Sequence, residues 1–251
     1  MKVYFIGAGP GDPDLITVKG RRLLGEADVV IYAGSLINDR LLQSCKPGCE
    51  FHDSAVLSLE EVTGLYEREM ESGKAVVRLH SGEPSIYGAI KEQIDWLVDN
   101  GVEYEIVPGV SSFAAAAAAL SAELTLPGVS QTVVITRMAG RTPVPEGQEI
   151  DALAAHKPTM CIFLSVQMIE SLVEELEKGY PTDTPVAVVE RASWPDERII
   201  RGTLEDIAGK VKGAGIARTA MIVVGGVLDG AYERSKLYDP AFSHGYRGGN
   251  Q

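Results

Sequence analysis

Cysteine, histidine and positive charge are all scarce in this chain of 251 residues. Its three cysteines, Cys45, Cys49 and Cys161, are an odd number with no CxxC pair, which argues against a disulfide scaffold and makes a reducing cytoplasm the expected location. Cys45, Cys49 and His52 lack zinc-knuckle spacing and a fourth ligand, so no metal site is expected. The four histidines form no HExxH, and neither a nucleophile elbow nor a Ser-His-Asp order is present. Lys and Arg number 23 against 35 Asp and Glu, a net charge of −12. That balance excludes nonspecific binding to nucleic acid or to anionic membrane, although locally gathered arginines can still hold an anionic small molecule. No apolar run nears the ~20 residues of a membrane span. The strand signal begins at Val3, so no signal peptide is expected. With 45% hydrophobic residues, the chain can build one large core or two smaller ones.

The segment Val3–Gly20, VYFIGAGPGDPDLITVKG, is the most informative. An apolar run, Val3 to Ile6, predicts a buried first strand. A loop with Gly7, Gly9 and Gly11 follows, and then Asp12-Pro13, a capping acid before a proline at the first helical position. Strand, glycine loop, helix is the opening of nucleotide-binding α/β domains. The dinucleotide fingerprint is nevertheless broken, because Asp12 stands where its third glycine belongs. Pro10 has no N–H to offer, Asp12 and Asp14 are negative where a phosphate would sit, and the P-loop lysine is missing. The loop therefore fits a ligand without phosphates, or a tight turn that binds nothing.

Strand and helix signals alternate through the first half: strands at 28–32, 75–79 and 103–107, a capping box at Ser58-Leu59-Glu60-Glu61, and helical spacing from Ile86 to Val98. This rhythm predicts a mostly parallel sheet covered by helices. Ser111-Ser112 caps a helix holding Ala114 to Ala119, whose composition gives high helix propensity and close packing. The second half differs. Strands are expected at 133–136, 159–164, 186–189, 199–200 and 221–224, with helices near 168–178 and 204–213, the latter opened by a Thr203/Asp206 box. Strands 186–190 and 198–202 have no helix between them, so they pair antiparallel in a mixed sheet. The expected fold is thus two α/β domains, residues 1–115 with the mostly parallel sheet and 116–238 with the mixed one, and a mobile glycine-rich tail at 239–251.

Three loops at strand ends carry the candidate chemistry: the first glycine loop, Ser81-Gly82-Glu83-Pro84-Ser85-Ile86-Tyr87-Gly88, and Pro108-Gly109-Val110-Ser111-Ser112. They are expected to converge on one cleft at the carboxyl edge of the sheet, where open α/β sheets bind ligands. Glu83 caps the next helix or accepts from a ligand hydroxyl or amine. His80 is the histidine nearest this cleft, and a lone histidine there is more often structural than catalytic. The fourth segment, Thr136 to Thr142, holds Arg137 and Arg141. They are solvated surface or, through their bidentate forks, receptors for substrate carboxylates. Arg191, Arg198 and Arg201 are additions to the same basic island. All of this favours positioning over covalent or metal catalysis.

Taken together, GAGPGDPDLIT, SGEPSIYG and VPGVSS resemble the three motifs of the tetrapyrrole methylase family, the class III S-adenosylmethionine-dependent methyltransferases. The resemblance runs from Val3 to about Leu228. Asp is usual at the position of Glu83, a departure of one methylene. Within the family, YAGSLIN, ELTLPGVSQTVVITR, GRTPVPE and RASWPDE are similar to members that methylate carbon 11 of precorrin-4 or cobalt-precorrin-4 during cobalamin synthesis. The resemblance implies a homodimer of two-domain subunits and S-adenosyl-L-methionine as methyl donor, held in a cleft between the domains. Carried over by motif, cofactor contacts fall on Ser81, Gly82, Glu83, Ile86, Ser111, Ser112, Leu164, Ala192 and Ala220. Pro10 and Asp12 line the side of the macrocycle, with Arg137 and Arg141 as its carboxylate partners. No catalytic base and no metal ligand are assigned. Three alternatives stay open: methylation of uroporphyrinogen III or another precorrin carbon, a nicotinamide-dependent oxidoreductase, and a noncatalytic nucleotide-sensing module.

Overall fold

The computed structural model describes residues 1–230, 232–239, 241–243 and 245–246. The chain divides into two compact units. The first is Met1–Ala115 together with Arg191–Glu197; the second is Ala116–Glu190 together with the chain from Arg198 onward.

The first unit holds five parallel strands: β1 (Lys2–Gly7), β2 (Val29–Tyr32), β3 (Glu50–Asp53), β4 (Ala75–His80) and β5 (Glu103–Val107), in the order β3-β2-β4-β1-β5. Alternate residues of each strand feed opposite faces. On one face Ile6, Val30, Val77 and Leu79 pack with Leu23 and Leu24 of α1 (Val18–Glu26) and Leu41 of α2 (Asp39–Leu42). On the other, Val3, Phe5, Val29, Ile31 and Val76 pack with Val62 and Tyr66 of α3 (Leu59–Glu69) and Leu97 of α4 (Lys91–Asp99). Each such side chain contributes roughly 1.5–3 kcal/mol by leaving water. The order places β4, β1 and β5 side by side, so the three loops singled out above leave adjacent strand ends. The chain departs from β1 toward β2 and from β4 toward β5, in opposite directions across the sheet, which makes this edge a topological switch point.

Two helix starts differ from expectation. Asp12 does cap, accepting from Asp14 N, but Asp12-Pro13 opens only a 3₁₀ turn at Pro13–Leu15; α1 starts after Thr17, whose side chain accepts from Gly20 N. α4 begins at Lys91 rather than Ile86. Tyr87 and Ala89 are left-handed (φ 55° and 48°), and a Cβ on Gly88 would overlap the Pro84 carbonyl, so the chain turns tightly there before it can coil. A buried polar network holds that turn. Tyr66 OH donates to Gln93 Oε1 (2.8 Å), as does Arg78 Nε (3.3 Å), while Arg78 Nη1 reaches Ile31 O (3.2 Å) and Gln93 Nε2 reaches Ala89 O (3.0 Å). Helix α5 (Ser112–Leu120) carries the alanine run, and the division between the units falls within it.

In the second unit the order is β6-β7-β10-β8-β9, from β6 (Val133–Arg137), β7 (Thr159–Phe163), β8 (Pro185–Glu190), β9 (Arg198–Thr203) and β10 (Ala220–Val224). Only β6 and β7 are parallel, and β8 and β9 pair antiparallel as their missing crossover requires. Met160, Ile162, Val188 and Ile222 form its core with Leu172 and Leu176 of α7 (Ile169–Leu176) and Ile207 and Val211 of α8 (Leu204–Gly213). The Thr203/Asp206 capping box is present. A short α6 (Ile150–Ala154), together with α2 and β3, had no counterpart in the sequence reading. The expected mobile tail falls in part on residues outside those described.

Candidate functional site

The three loops of the first unit are joined glycine to glycine. A Cβ on Gly7 would lie 2.5 Å from Gly109 Cα and 2.6 Å from the Gly82 carbonyl oxygen, and one on Gly109 would overlap that same oxygen. Gly82 N donates to Gly9 O (2.8 Å) and Gly9 N to Gly82 O (3.3 Å), a reciprocal pair that stitches the first loop to the second. Ala8 N donates to His80 O (2.8 Å) just beneath it. Glu83 closes the arrangement. Its Oε1 accepts from Ser85 N (2.9 Å) and its Oε2 from Gly109 N (2.8 Å). Burial pushes this carboxyl up, but the amide hydrogen bonds outweigh it and hold Glu83 below the usual carboxylate range. Glu83 thus does not cap α4; it pins the second loop to the third.

Gly82 itself differs from Gly7 and Gly109. It is left-handed (φ 64°), and a Cβ there would meet nothing nearer than 3.7 Å, at Ser111 Cα and Ser112 N. A Cβ on Gly82 would thus sit in ordinary van der Waals contact with the third loop, without overlap. Ser81, Gly82, Ser111 and Ser112 therefore stand together where the second and third loops face each other.

His80 ends β4 and is 5% exposed. It stacks on Phe5 (centroids 6.0 Å apart, 28° between planes), and its Nε2 has no hydrogen-bond partner. Burial first, and then the nearby Arg78 cation, depress its pKa to about 3, so the ring is neutral at physiological pH. It is no proton donor at pH 7.

The substrate-side candidates Pro10 and Asp12 lie in the same unit, on a loop clasped from outside. Trp194 Nε1 donates to Pro10 O (2.9 Å), Asn38 Nδ2 to Gly11 O (2.9 Å), and Asp12 N to Ser193 Oγ (3.0 Å). A Cβ on Gly11 would overlap the Trp194 ring. Each of the three glycines thus has a reason within the protein: Gly7 the backbone of Gly82 and Gly109, Gly9 its left-handed turn (φ 80°), Gly11 the indole. Trp194, Ser193 and Asn38 were missed by sequence reasoning. The only signal was a tryptophan in the otherwise polar RASWPDE turn, far along the chain from the loop it holds.

In the second unit, Arg137, Leu164 and Ala220 lie at one edge of the sheet: the ends of parallel β6 and β7 and the start of antiparallel β10, where Ala220 pairs with Glu190. Leu164 is left-handed (φ 55°) yet 70% exposed, and Thr219, beside Ala220, is also left-handed (φ 53°). Arg191 and Ser193, which flank Ala192 in the first unit, are left-handed as well (φ 50° and 69°). Backbone strain of this kind gathers where a chain must present a group in one direction. Just past Leu164, Ser165 is fully buried; its Oγ donates to Phe163 O (2.7 Å) and accepts from Met138 N (2.9 Å).

Three of the five arginines of the expected basic island are engaged within their own unit. Arg137 spends its guanidinium on its own loop: Nη1 reaches Met138 O (3.3 Å) and Thr142 O (3.1 Å), and Nη2 reaches Pro143 O (2.7 Å). Arg198 pairs with Glu190 (2.6 Å) and donates to Ala214 O (2.9 Å), while Arg201 donates to Leu120 O (2.9 Å). Backbone carbonyls, several of them exposed, and one carboxylate claim these cations. Arg191 groups with the first unit, and Arg141 stands exposed at the tip of the loop that Arg137 shapes.

An all-parallel sheet whose switch-point loops are glycine-joined, followed by a mixed sheet, defines the class. A model of the Tetrapyrrole (Corrin/Porphyrin) Methylases matches residues 2–208, and the chain belongs to that family. It is 58% identical over 248 residues to a cobalt-precorrin-4 C(11)-methyltransferase of Methanocaldococcus jannaschii, covering 98% of this chain and 96% of that one. The X-ray structure of a cobalamin biosynthetic enzyme, cobalt-precorrin-4 methyltransferase, superposes with a TM-score of 0.89 at 51% identity, covering 91% of this chain and 96% of that chain. A uroporphyrin-III C-methyltransferase from Thermus thermophilus, in complex with S-adenosylhomocysteine, gives a TM-score of 0.76 at 33% identity, covering 93% and 96%.

Proposed function

We propose that this protein transfers a methyl group from S-adenosylmethionine to ring carbon 11 of a corrin precursor, cobalt-precorrin-4 or its metal-free counterpart precorrin-4, during cobalamin synthesis. The observation that carries the substrate is identity of 58% across nearly the whole length of both chains. The loop edge at Gly82 suits a phosphate-free cofactor: it presents glycine backbone with Ser81, Ser111 and Ser112 beside it, and the neighbouring loop supplies Pro10 and Asp12 rather than cations. In this reading Ser81, Gly82, Glu83, Ile86, Ser111, Ser112 and Ala192 of the first unit hold S-adenosylmethionine with Leu164 and Ala220 of the second. Pro10, Asp12 and Arg141 meet the macrocycle, and Arg137 acts by shaping the loop that carries Arg141.

When bound, S-adenosylmethionine supplies an electrophilic methyl carbon on a positively charged sulfur. The ring carbon is already nucleophilic through conjugation with a pyrrole-type nitrogen. What remains for the protein is alignment and exclusion of water. Glu83 serves the first by fixing two loops to each other, and the neutral, buried His80 provides a dry floor beneath them. A homodimer in the cytoplasm belongs to the same reading through the family; among the described residues no helix is long and apolar enough to cross a membrane.

The test is incubation of the purified protein with S-adenosylmethionine and either cobalt-precorrin-4 or precorrin-4, with the product read by mass and NMR. One added methyl on carbon 11, with S-adenosylhomocysteine released, is expected. Methylation elsewhere, or turnover of uroporphyrinogen III alone, assigns a different substrate. Tight NAD binding without a response to S-adenosylhomocysteine overturns the reading altogether.

A further inference from the structure

The clasp on the first glycine loop ends in a cation whose hydrogen-bonding edge is unspent. Arg191 lies over the Trp194 ring, its guanidinium carbon 4.0 Å from the centroid, and its Nε donates to Asp196 Oδ1 at 2.7 Å. Neither Nη group has a hydrogen-bond partner among the described residues. The same Trp194 fills the notch left by Gly11 and bonds the Pro10 carbonyl. One indole therefore has the glycine loop on its rim and a guanidinium on its face. The turn that does this carries two left-handed residues, Arg191 and Ser193, and is tied internally by Ser193 N to Glu197 Oε2 (2.7 Å) and Trp194 N to Arg191 O (2.9 Å). The Arg191 side chain is 31% exposed, covered on its face and open on its remaining edge.

From this arrangement we infer that Arg191 is the first unit's receptor for a carboxylate side chain of the macrocycle, held ready by Trp194 and Asp196. A guanidinium fixed through Nε and one face presents its two Nη groups as a fork, the geometry that takes a carboxylate bidentately. Stacking removes rotamer freedom in advance, so little entropy is lost when the anion arrives. Of the other arginines of the expected basic island, Arg137, Arg198 and Arg201 are spent on carbonyls or on Glu190, and Arg21, near the same loop, is paired with Asp14. In a protein of net charge −12, long-range attraction gives such a substrate no help, and a preset local cation must supply it. The inference rests on the tetrapyrrole reading and adds to it the residue that reads the substrate's charge.

The experiment compares the unaltered protein with Arg191→Gln, Arg191→Lys and Asp196→Asn. Macrocycle binding is followed by quenching of indole emission with cobalt-precorrin-4, turnover by KM and kcat, and cofactor affinity by calorimetry with S-adenosylhomocysteine. Arg191→Gln is expected to raise the macrocycle Kd and KM about tenfold, to leave kcat within about twofold, and to leave the S-adenosylhomocysteine Kd unchanged. Lysine, which keeps the charge but loses the fork, recovers about half of that loss on a logarithmic scale. Asp196→Asn, which frees the guanidinium without removing it, raises KM about threefold. Unchanged macrocycle binding in Arg191→Gln overturns the inference. So does an equal loss of S-adenosylhomocysteine and macrocycle affinity, which would make the turn a cofactor or structural element. If the unaltered protein binds S-adenosylhomocysteine but no macrocycle, the tetrapyrrole reading fails with it. Normal turnover with an indifferent Arg191 removes only the inference.

Discussion

At the edge of the first sheet, Gly7, Gly82 and Gly109 bring three loops into backbone contact, and the tight turns there cost nothing beyond glycine's own entropy. At the edge of the second, no glycine stands at the corresponding places: Leu164 and Thr219 take the left-handed conformation with full side chains, at roughly 1–2 kcal/mol each. The reason for the difference lies in what each edge presents. The first offers backbone, so side chains are in the way. The second offers a side chain, and Leu164 stands 70% exposed at the end of a buried strand. A strained leucine left in water is unexplained by packing and suits a residue waiting for a ligand's apolar face.

The sharpest break of this comparison is at Gly7. Gly7→Ala puts a methyl inside 3 Å of three backbone atoms that have nowhere to move, and a loss of more than about 3 kcal/mol is expected in urea unfolding. A fully stable variant would show that the loops are not locked together.

His80 tests the floor of the same edge through pH. Its pKa is about 3 in the native state and 6.5 in the unfolded chain. Above pH 6.5 both states are neutral and the residue has no effect. Below it the unfolded chain takes a proton that the native state refuses, so stability falls as pH drops toward 3. The slope is at most ~1.4 kcal/mol per pH unit, about 2 kcal/mol by pH 5. Glu69 and Glu105, held near 2 by Arg68 and Lys19 respectively as their largest causes, lose their contributions only at lower pH. His80→Leu should therefore flatten the decline between pH 6.5 and 5 specifically. An unaltered slope would place the proton elsewhere.

Gly82 separates room from strain. Gly82→Ala should cost about 1–2 kcal/mol through its left-handed backbone, since the methyl itself meets nothing under 3.7 Å. A folded Gly82→Ala protein should nonetheless bind S-adenosylhomocysteine at least tenfold more weakly, the methyl taking up ligand space. Unchanged affinity by calorimetry would move the cofactor away from this loop edge. Leu164→Gly is the mildest and the inverse case. Relief of strain should leave stability level or raise it by up to ~1 kcal/mol, while cofactor affinity drops a few-fold. A fall in stability without a change in affinity would make Leu164 structural.

Much of this was legible in the chain. The apolar runs marked nine of the ten strands, missing only the exposed edge strand β3, whose Glu50, Phe51 and Asp53 carry no alternating core face. The broken phosphate fingerprint, with Asp12 and Pro10 in place of glycine and donor, already turned the reading from nucleotides to a phosphate-free ligand. Less legible were the stops. Helical periodicity continued from Ile86 into α4, yet Tyr87 and Ala89 are left-handed because Arg78 and Gln93 draw the Ala89 carbonyl into a buried network. Arg137 carried the composition of a substrate receptor, and its three carbonyl partners depend on how residues 138–143 fold back over it.

Local sequence alone determined the alternation of strands and helices, the caps at Ser58 and Thr203, and the glycine positions, because each is settled by periodicity, a nearby side chain or the lack of a Cβ. Which glycines would overlap protein and which would not was decided only in three dimensions. Gly11 is a glycine because Trp194 arrives from a turn between two strands of the second sheet, and Gly109 because Gly82 stands opposite it. Glu83 binds Gly109 rather than capping its own helix for the same reason: strand order puts β5 two places from β4, with only β1 between, close enough for one extra methylene to reach across. Contacts between residues so distant in the chain leave no periodic trace in it, since their spacing is set by the sheet and not by the sequence.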